Sequence, residues 1–151
     1  MIRPDHVGVT KPVYVETCRA AVAPEDCDHL GHMNVQHYFA IVSDGMFALM
    51  GRMGLGAEEI RHRQVSFAVV RAEADFQREL HAGDVIVLES TIQRLGGKSA
   101  TFHHRLRHAA TGTIAMTTEF KCVLLDLEKR EATTIPDDIR NAAAKLFSLE
   151  A

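Results

Sequence analysis

The sequence predicts an α+β fold in which an antiparallel sheet wraps around a central helix. Three observations predict it. Val35 to Met53 is apolar nearly all round, with Tyr38, Val42, Met46, Leu49 and Met53 at helical spacing and Phe39, Phe47 and Met50 on the other side. A helix of that kind belongs inside other structure. From Gln64 onward the apolar period changes to that of strands with one face in a core. Those strands are joined by short turns, which imply antiparallel neighbours. At 151 residues, with 46% hydrophobic and 25% charged residues, the chain reads as one domain, residues 1–151, large enough to bury a core.

The elements follow in order. Met1 to Lys11 is polar and mixed, an arm that orders only by packing on something else. Val13 to Ala23 reads as a strand ended by Pro24, before a polar loop from Asp26 to Asn34. Asn34 is a helix cap, because its side-chain oxygen can accept from the unpaired first-turn amides. Gly51, Gly54 and Gly56 mark the helix exit, and Ala57 to Arg63 forms a short helical turn.

Val65, Phe67 and Val69 alternate, and Ala72, Ala74 and Phe76 continue after a change of phase, which predicts one long strand with a bulge near Val70 or Arg71. His81 to Asp84 is a turn. Val85 to Arg94 is a strand, with Ile86, Leu88, Ser90 and Ile92 on one face. Leu95 to Lys98 is a hairpin connection in which Gly96 and Gly97 supply positive φ. Ser99 to His108 is the return strand, and Thr113 to Leu127 the last one. Glu128 to Thr134 reads as a charged loop. Pro136 suits a first helical turn, Asp137 and Asp138 favour that helix N-terminus, and the helix ends near Phe147.

Bulk properties exclude several classes. A net charge of -3 argues against a nucleic-acid binder, which carries a basic excess. Cys18, Cys27 and Cys122 are odd in number and lack close pairing, so neither a disulfide framework nor a thiolate metal site is indicated. No apolar run is long enough to span a bilayer. Met1 to Thr10 lacks the apolar stretch of a signal peptide, so a cytoplasmic protein is expected.

Chemistry concentrates where the polar loop meets the helix. A carboxylate-bearing loop leads straight into a helix N-terminus, whose free N–H groups and partial positive charge suit a developing oxyanion. The pattern Asp-Cys-Asp-x-x-Gly-His-x-Asn-x-x-x-Tyr, made by Asp26, Cys27, Asp28, Gly31, His32, Asn34 and Tyr38, resembles the signature of hotdog-fold acyl-CoA thioesterases, in the 4-hydroxybenzoyl-CoA thioesterase-like branch. The order of elements resembles that family throughout. The resemblance implies hydrolysis of a short or small acyl-CoA thioester to a free acid and coenzyme A, with no cofactor and no metal. It also implies a homodimer or homotetramer with the active site at the dimer interface, and unpaired sheet edges favour pairing on physical grounds. Neither nucleic acid nor membrane is an expected partner.

Residue by residue, the resemblance assigns the essential carboxylate to Asp28, the polarising amide to the backbone of Val35, and loop-shaping and acyl-facing roles to His32 and Asn34. Asp26 has a supporting or capping role. Gly31 permits close backbone approach or a positive φ. Tyr38 and Phe67 are candidates for the acyl pocket, and Gly97, Lys98 and Ser99 match a segment that lines the pantetheine channel or nucleotide site in relatives. Asp44, in the middle of an apolar helix, is the alternative catalytic acid; if buried, it would need a partner.

The stretch from His29 to Phe39 further resembles thioesterases of carnitine breakdown that act on betainyl-CoA, whose quaternary ammonium group would want aromatic faces or carboxylates. Two histidine groups, His29, His32 and His37 and His103, His104 and His108, invite a metal site. No supporting Cys pair or helical His-Glu-x-x-His run accompanies them, and His103 and His104 point to opposite strand faces. The alternatives to a coenzyme A thioesterase are a non-catalytic acyl-CoA-binding module and a thioesterase acting on acyl carrier protein.

Overall fold

The computed structural model describes residues 11–149. All but the last residue of the expected N-terminal arm lies outside them. Strand β1 (Val15–Ala21) leads through a single 3-10 turn (Pro24–Asp26) and the polar loop into helix α1 (Val35–Arg52). Helix α2 (Ala57–Arg63) and strands β2 (Val65–Phe76), β3 (Val85–Leu95), β4 (Ser99–His108) and β5 (Ile114–Asp126) follow, then a short β6 (Glu131–Ala132) and helix α3 (Asp137–Phe147). The strands form one antiparallel sheet in the order β1-β3-β4-β5-β2, with β6 beside β5.

The curled sheet turns one face toward α1. Leu88 and Ile92 of β3, Phe102 and Leu106 of β4, and Met116 and Leu124 of β5 are buried with Val42, Met46 and Leu49 of α1 in one apolar cluster. Alternation along each strand produces this face, since every second side chain points inward. Gly45 lets α1 approach closely: a Cβ there would stand 2.4 Å from Leu88 Cδ2 and 3.0 Å from Thr17 Oγ1. The bulge expected in β2 lies between Val69 and Arg71 and reconciles the two halves of its pattern. Ile139, Ala143 and Phe147 form the buried stripe of α3, and Arg63 grips Asp138 through two hydrogen bonds of 2.7 and 3.1 Å, tying α2 to α3.

Four expectations are corrected. First, α1 is not enclosed on all sides: Phe47 is 64% exposed and Asp44 is also exposed. The sheet covers one face only. Second, Gly96 and Gly97 do not turn the hairpin through positive φ; among the described residues Gly31, Gly54, Gly83 and Gly112 are the glycines with it. The tip is held instead through its carbonyls. Ile135 N–H donates to Gly97 at 2.9 Å and Leu124 N–H to Lys98 at 2.9 Å, and the Arg140 guanidinium donates to Gly96. Third, the charged segment after β5 contains β6. Fourth, Pro136 caps α3 rather than entering its first turn.

Candidate active site

The polar loop is a small closed structure. Cys27 and Met33 form an antiparallel bridge. Inside it, Asp28 N–H donates to the His32 carbonyl at 3.1 Å and Gly31 N–H to the Asp28 carbonyl at 3.0 Å. Gly31 has φ +84 and nothing within 4 Å of a hypothetical Cβ, so positive φ, rather than close approach, requires glycine here. Met33 N–H donates to the Leu80 carbonyl at 2.7 Å, anchoring the loop to the segment after β2.

Both oxygens of the Asp28 carboxylate are engaged. Leu30 N–H donates to Oδ1 at 2.9 Å and the Asn34 side-chain amide to Oδ2 at 2.7 Å. These bonds, Asn34 first, hold the carboxyl below the usual aspartate range, because they favour the charged form. Asn34 has a second task as the cap of α1: its side-chain oxygen accepts from Gln36 N–H at 3.0 Å. One amide therefore joins the carboxylate to the helix N-terminus. Val35 N–H, the first of α1, has no partner among the described residues.

Asp26 is engaged through its carboxylate. Its side chain accepts from Ala23 N–H at 3.0 Å and its Oδ1 lies 3.3 Å from His37 Nδ1. His32 Nδ1 lies 3.2 Å from the Met33 carbonyl, a contact that places the proton on Nδ1 and leaves Nε2 free. Next to this end of the loop is a pocket of about 200 Å³ lined by His32, Met33, Val35, Tyr38, Phe76, Gln77, Arg78 and Glu79. Tyr38 is buried, donates to the Arg78 carbonyl at 3.3 Å and meets Phe76 edge-on at 5.1 Å, so it packs and lines the pocket at once.

Asp28, Gly31, His32, Asn34, Val35 and Tyr38 are therefore brought together. Phe67, Gly97, Lys98 and Ser99 are not. Phe67 packs edge-on against Phe102 at 5.6 Å and pairs with Leu124, the residue whose N–H holds the Lys98 carbonyl. Phe76 pairs with Met116, so these two groups stand at opposite ends of β2, roughly 30 Å apart at the usual strand rise. Asp44 lies on the exposed side of α1. Among the described residues no three His, Cys, Asp or Glu side chains converge to hold a metal ion, and no described helix is long and apolar enough to cross a membrane.

Comparison with known families decides the kinship. The model of the thioesterase-like superfamily matches residues 22–143. The chain belongs to that superfamily. Its structure is similar to a Staphylococcus aureus protein solved in complex with CoA (TM-score 0.83, 20% identity, covering 93% of this chain and 87% of that one). It is also similar to a 1,4-dihydroxy-2-naphthoyl-CoA thioesterase from Synechocystis (TM-score 0.77, 16% identity, 89% and 98% covered). A third is a gentisyl-coenzyme A thioesterase (TM-score 0.72, 20% identity, 89% and 100% covered). At these identities the likeness carries the fold, which is the hotdog fold. No curated protein matches the sequence.

For this thioesterase-like chain, sequence reasoning missed the far wall of the pocket. Gln77, Arg78 and Glu79 follow β2 without any period and carry no motif. Their place depends on contacts that cross the chain: Gln77 N–H to the Ala115 carbonyl at 2.7 Å and the Met33 bond to Leu80. Only Phe76, the last apolar residue of the alternating strand, gave a signal.

Proposed function

We propose that the protein hydrolyses the thioester of a small acyl-CoA to a free acid and coenzyme A, with Asp28 as the reacting carboxylate. The observation that carries this reading is an ionised Asp28 held by Leu30 and Asn34 beside the unpartnered Val35 N–H of α1. Asp28 either takes a proton from water, whose oxygen attacks the thioester carbonyl, or adds to that carbonyl itself; label entering the Asp28 carboxylate during a single turnover in ¹⁸O-water identifies the second route. In either case negative charge grows on the carbonyl oxygen, and the Val35 N–H at the positive end of α1 is placed to stabilise it. The C–S bond then breaks and the thiolate leaves, taking up the proton that water gives, as coenzyme A, which is part of the substrate; on the second route water then hydrolyses the acyl–Asp28 anhydride, releasing the acid and restoring the carboxylate. The chemistry calls for no separate cofactor. His32 and Asn34 shape the loop, and the pocket of about 200 Å³ suits a small acyl group.

The pocket also supports the betainyl reading. Tyr38 and Phe76 stand at 87° to one another, and Glu79 lines the same space. Two aromatic rings and a carboxylate are what a quaternary ammonium group is attracted to. Betainyl-CoA against its neutral isostere 3,3-dimethylbutanoyl-CoA tests this directly: a preference of at least tenfold in kcat/KM for the cation is expected, and equal rates would discard it.

The distribution of the remaining candidates supports a site built from two copies. β2 is an edge strand whose Val69, Val70 and Phe76 are exposed. Antiparallel pairing of two such edges would set the Phe67 and Lys98 end of one copy beside the Asp28 loop of the other, joining Gly97, Lys98 and Ser99 to the pantetheine path. Thiol release from a panel of acyl-CoAs and acyl carrier protein thioesters, by wild type and Asp28→Asn, tests the function. We expect a loss of about 10³-fold in kcat, the middle of the range for a general acid or base, with the fold retained. A folded Asp28→Asn that still turned over would overturn the assignment, and binding without turnover by the wild type would mean an acyl-CoA-binding module.

A further inference from the structure

We propose that Asp26 and His37 form a positioning pair that holds Asn34 in its double contact with Asp28 and α1. The inference rests on Asp28 being the reacting carboxylate, and it assigns a role to a histidine that lies outside the motif.

The bonds around Asn34 carry the argument. Its side chain is the only described link between Asp28 and the helix cap, with 2.7 Å to Asp28 and 3.0 Å to Gln36 N–H. A cap residue keeps its side chain in register only while its backbone is fixed, and here the Asn34 N–H donates to the Asp26 carbonyl at 2.9 Å. Asp26 is fixed in turn from two sides: Oδ2 accepts from Ala23 N–H at 3.0 Å, and Oδ1 faces His37 Nδ1 at 3.3 Å. His37 stands in the first turn of α1, where its own N–H donates to the Asn34 carbonyl at 3.0 Å. The pair therefore closes a ring from loop to helix and back, with Asn34 at its centre.

Exposed side-chain pairs are worth little even when both partners are charged, and the side chains here are 29% and 26% exposed. Its value lies in position. The titratable groups bearing on Asp28 are His29 and His32, and both sit on the loop itself, so neither can fix the loop to the helix. Gln36 Nε2, 3.2 Å from His37 Nε2, steadies the ring from the solvent side.

Loosening the pair should let Asn34 leave Asp28. The carboxyl would then lose the bond that most depresses its proton affinity and would stray from the Val35 N–H. The test uses His37→Leu, Asp26→Asn, the double variant, and His37→Asn, whose amide nitrogen takes the place of Nδ1. The expected result for His37→Leu is a fall in kcat of about tenfold to a hundredfold, the scale of a small misplacement, with KM nearly unchanged. The acid limb of the kcat/KM profile should move to higher pH. His37→Asn should restore both, and the double variant should be no worse than either single one.

A ¹³C carboxyl titration gives a readout without turnover: the Asp28 signal should titrate at higher pH in His37→Leu than in wild type, and return in His37→Asn. An unmoved Asp28 titration in a folded His37→Leu overturns the proposal. Inactivity of the wild type with the NMR shift present would instead count against Asp28 chemistry while leaving the positioning intact.

Discussion

At the N-terminus of α1, Asp28 is half-exposed, and every bond it accepts favours its charge. In the concave face of the sheet, Thr17, Ser90 and His104 form a second polar group under opposite conditions. Ser90 Oγ lies 2.7 Å from His104 Nδ1 and 2.9 Å from Thr17 Oγ1. His104 is fully buried, with the Phe120 ring edge-on at 5.2 Å and no partner for Nε2 among the described residues. Burial, and then the charge of His103, drives its pKa down to about 3. The loop keeps a charged group because water and a helix terminus are at hand; the interior keeps a histidine by keeping it neutral. Damage to the first region should therefore appear in turnover, and damage to the second in stability.

The largest expected effect that would sharpen this contrast is on pH. The folded pKa of His104 is about 3 and the unfolded value is near 6.5. Between the two, the unfolded chain binds the proton and the folded one does not, so stability rises with pH across that window. The contribution is intact above pH 6.5 and is lost as the pH falls, by about 2 kcal/mol at pH 5 and by about 5 kcal/mol at the lower end. Carboxylates with lowered pKa values, such as Asp84 and Asp126, act in the same direction but nearer pH 4, so the interval from 6.5 to 5 reports mainly on histidine. His103, also lowered by burial, adds to it. Urea unfolding across that interval should show the slope in wild type and much less of it in His104→Asn, which can still face Ser90. An unchanged slope would mean that His104 titrates normally and that the two regions do not differ as described.

A smaller effect is expected from Ser90→Ala. Removing the hydroxyl leaves the buried His104 Nδ1 without its partner, while Thr17 Oγ1 keeps its bond to the Leu88 carbonyl, at a cost of about 1–3 kcal/mol for an unsatisfied buried group. The urea midpoint should fall, while kcat at saturating substrate stays near wild type. A drop in kcat at full stability would break the comparison and make the buried row part of the site.

The two regions were not equally legible in the sequence. α1, its Asn34 cap and the β2 bulge follow from local spacing, and the loop announces itself by a compact motif. Ser90 already fell on the face of Ile86, Leu88 and Ile92, but nothing local says that a histidine from the next strand comes opposite it, because register is a property of the pair. For the same reason His104 read as one of a histidine group that invites a metal. The Asp26–His37 contact and the pocket wall at Gln77 to Glu79 depend on chain crossings that no period encodes. The exposed side of α1 was missed because apolar content says that a face will be covered, and Phe47 is left 64% exposed by the described residues.

The smallest effect separates the geometry of the loop from its chemistry. Gly31→Ala meets no neighbour, since nothing lies within 4 Å of the new Cβ, so the whole cost is the torsion at φ +84, about 1–2 kcal/mol for an L-residue in the left-handed region. Asparagine tolerates that region better, so Gly31→Asn should recover part of the loss. The turn at Gly31 also presents Leu30 N–H to Asp28, and a chain that relieves its strain by opening the turn gives up that bond while the Asn34 bond remains. Gly31→Ala should then lower the thermal midpoint by a few degrees and lower kcat only a few-fold, far less than Asp28→Asn. If kcat falls as far as in Asp28→Asn while the midpoint holds, the Leu30 N–H, rather than Asn34, is what positions the carboxylate, and the loop rather than the helix cap is the seat of its precision.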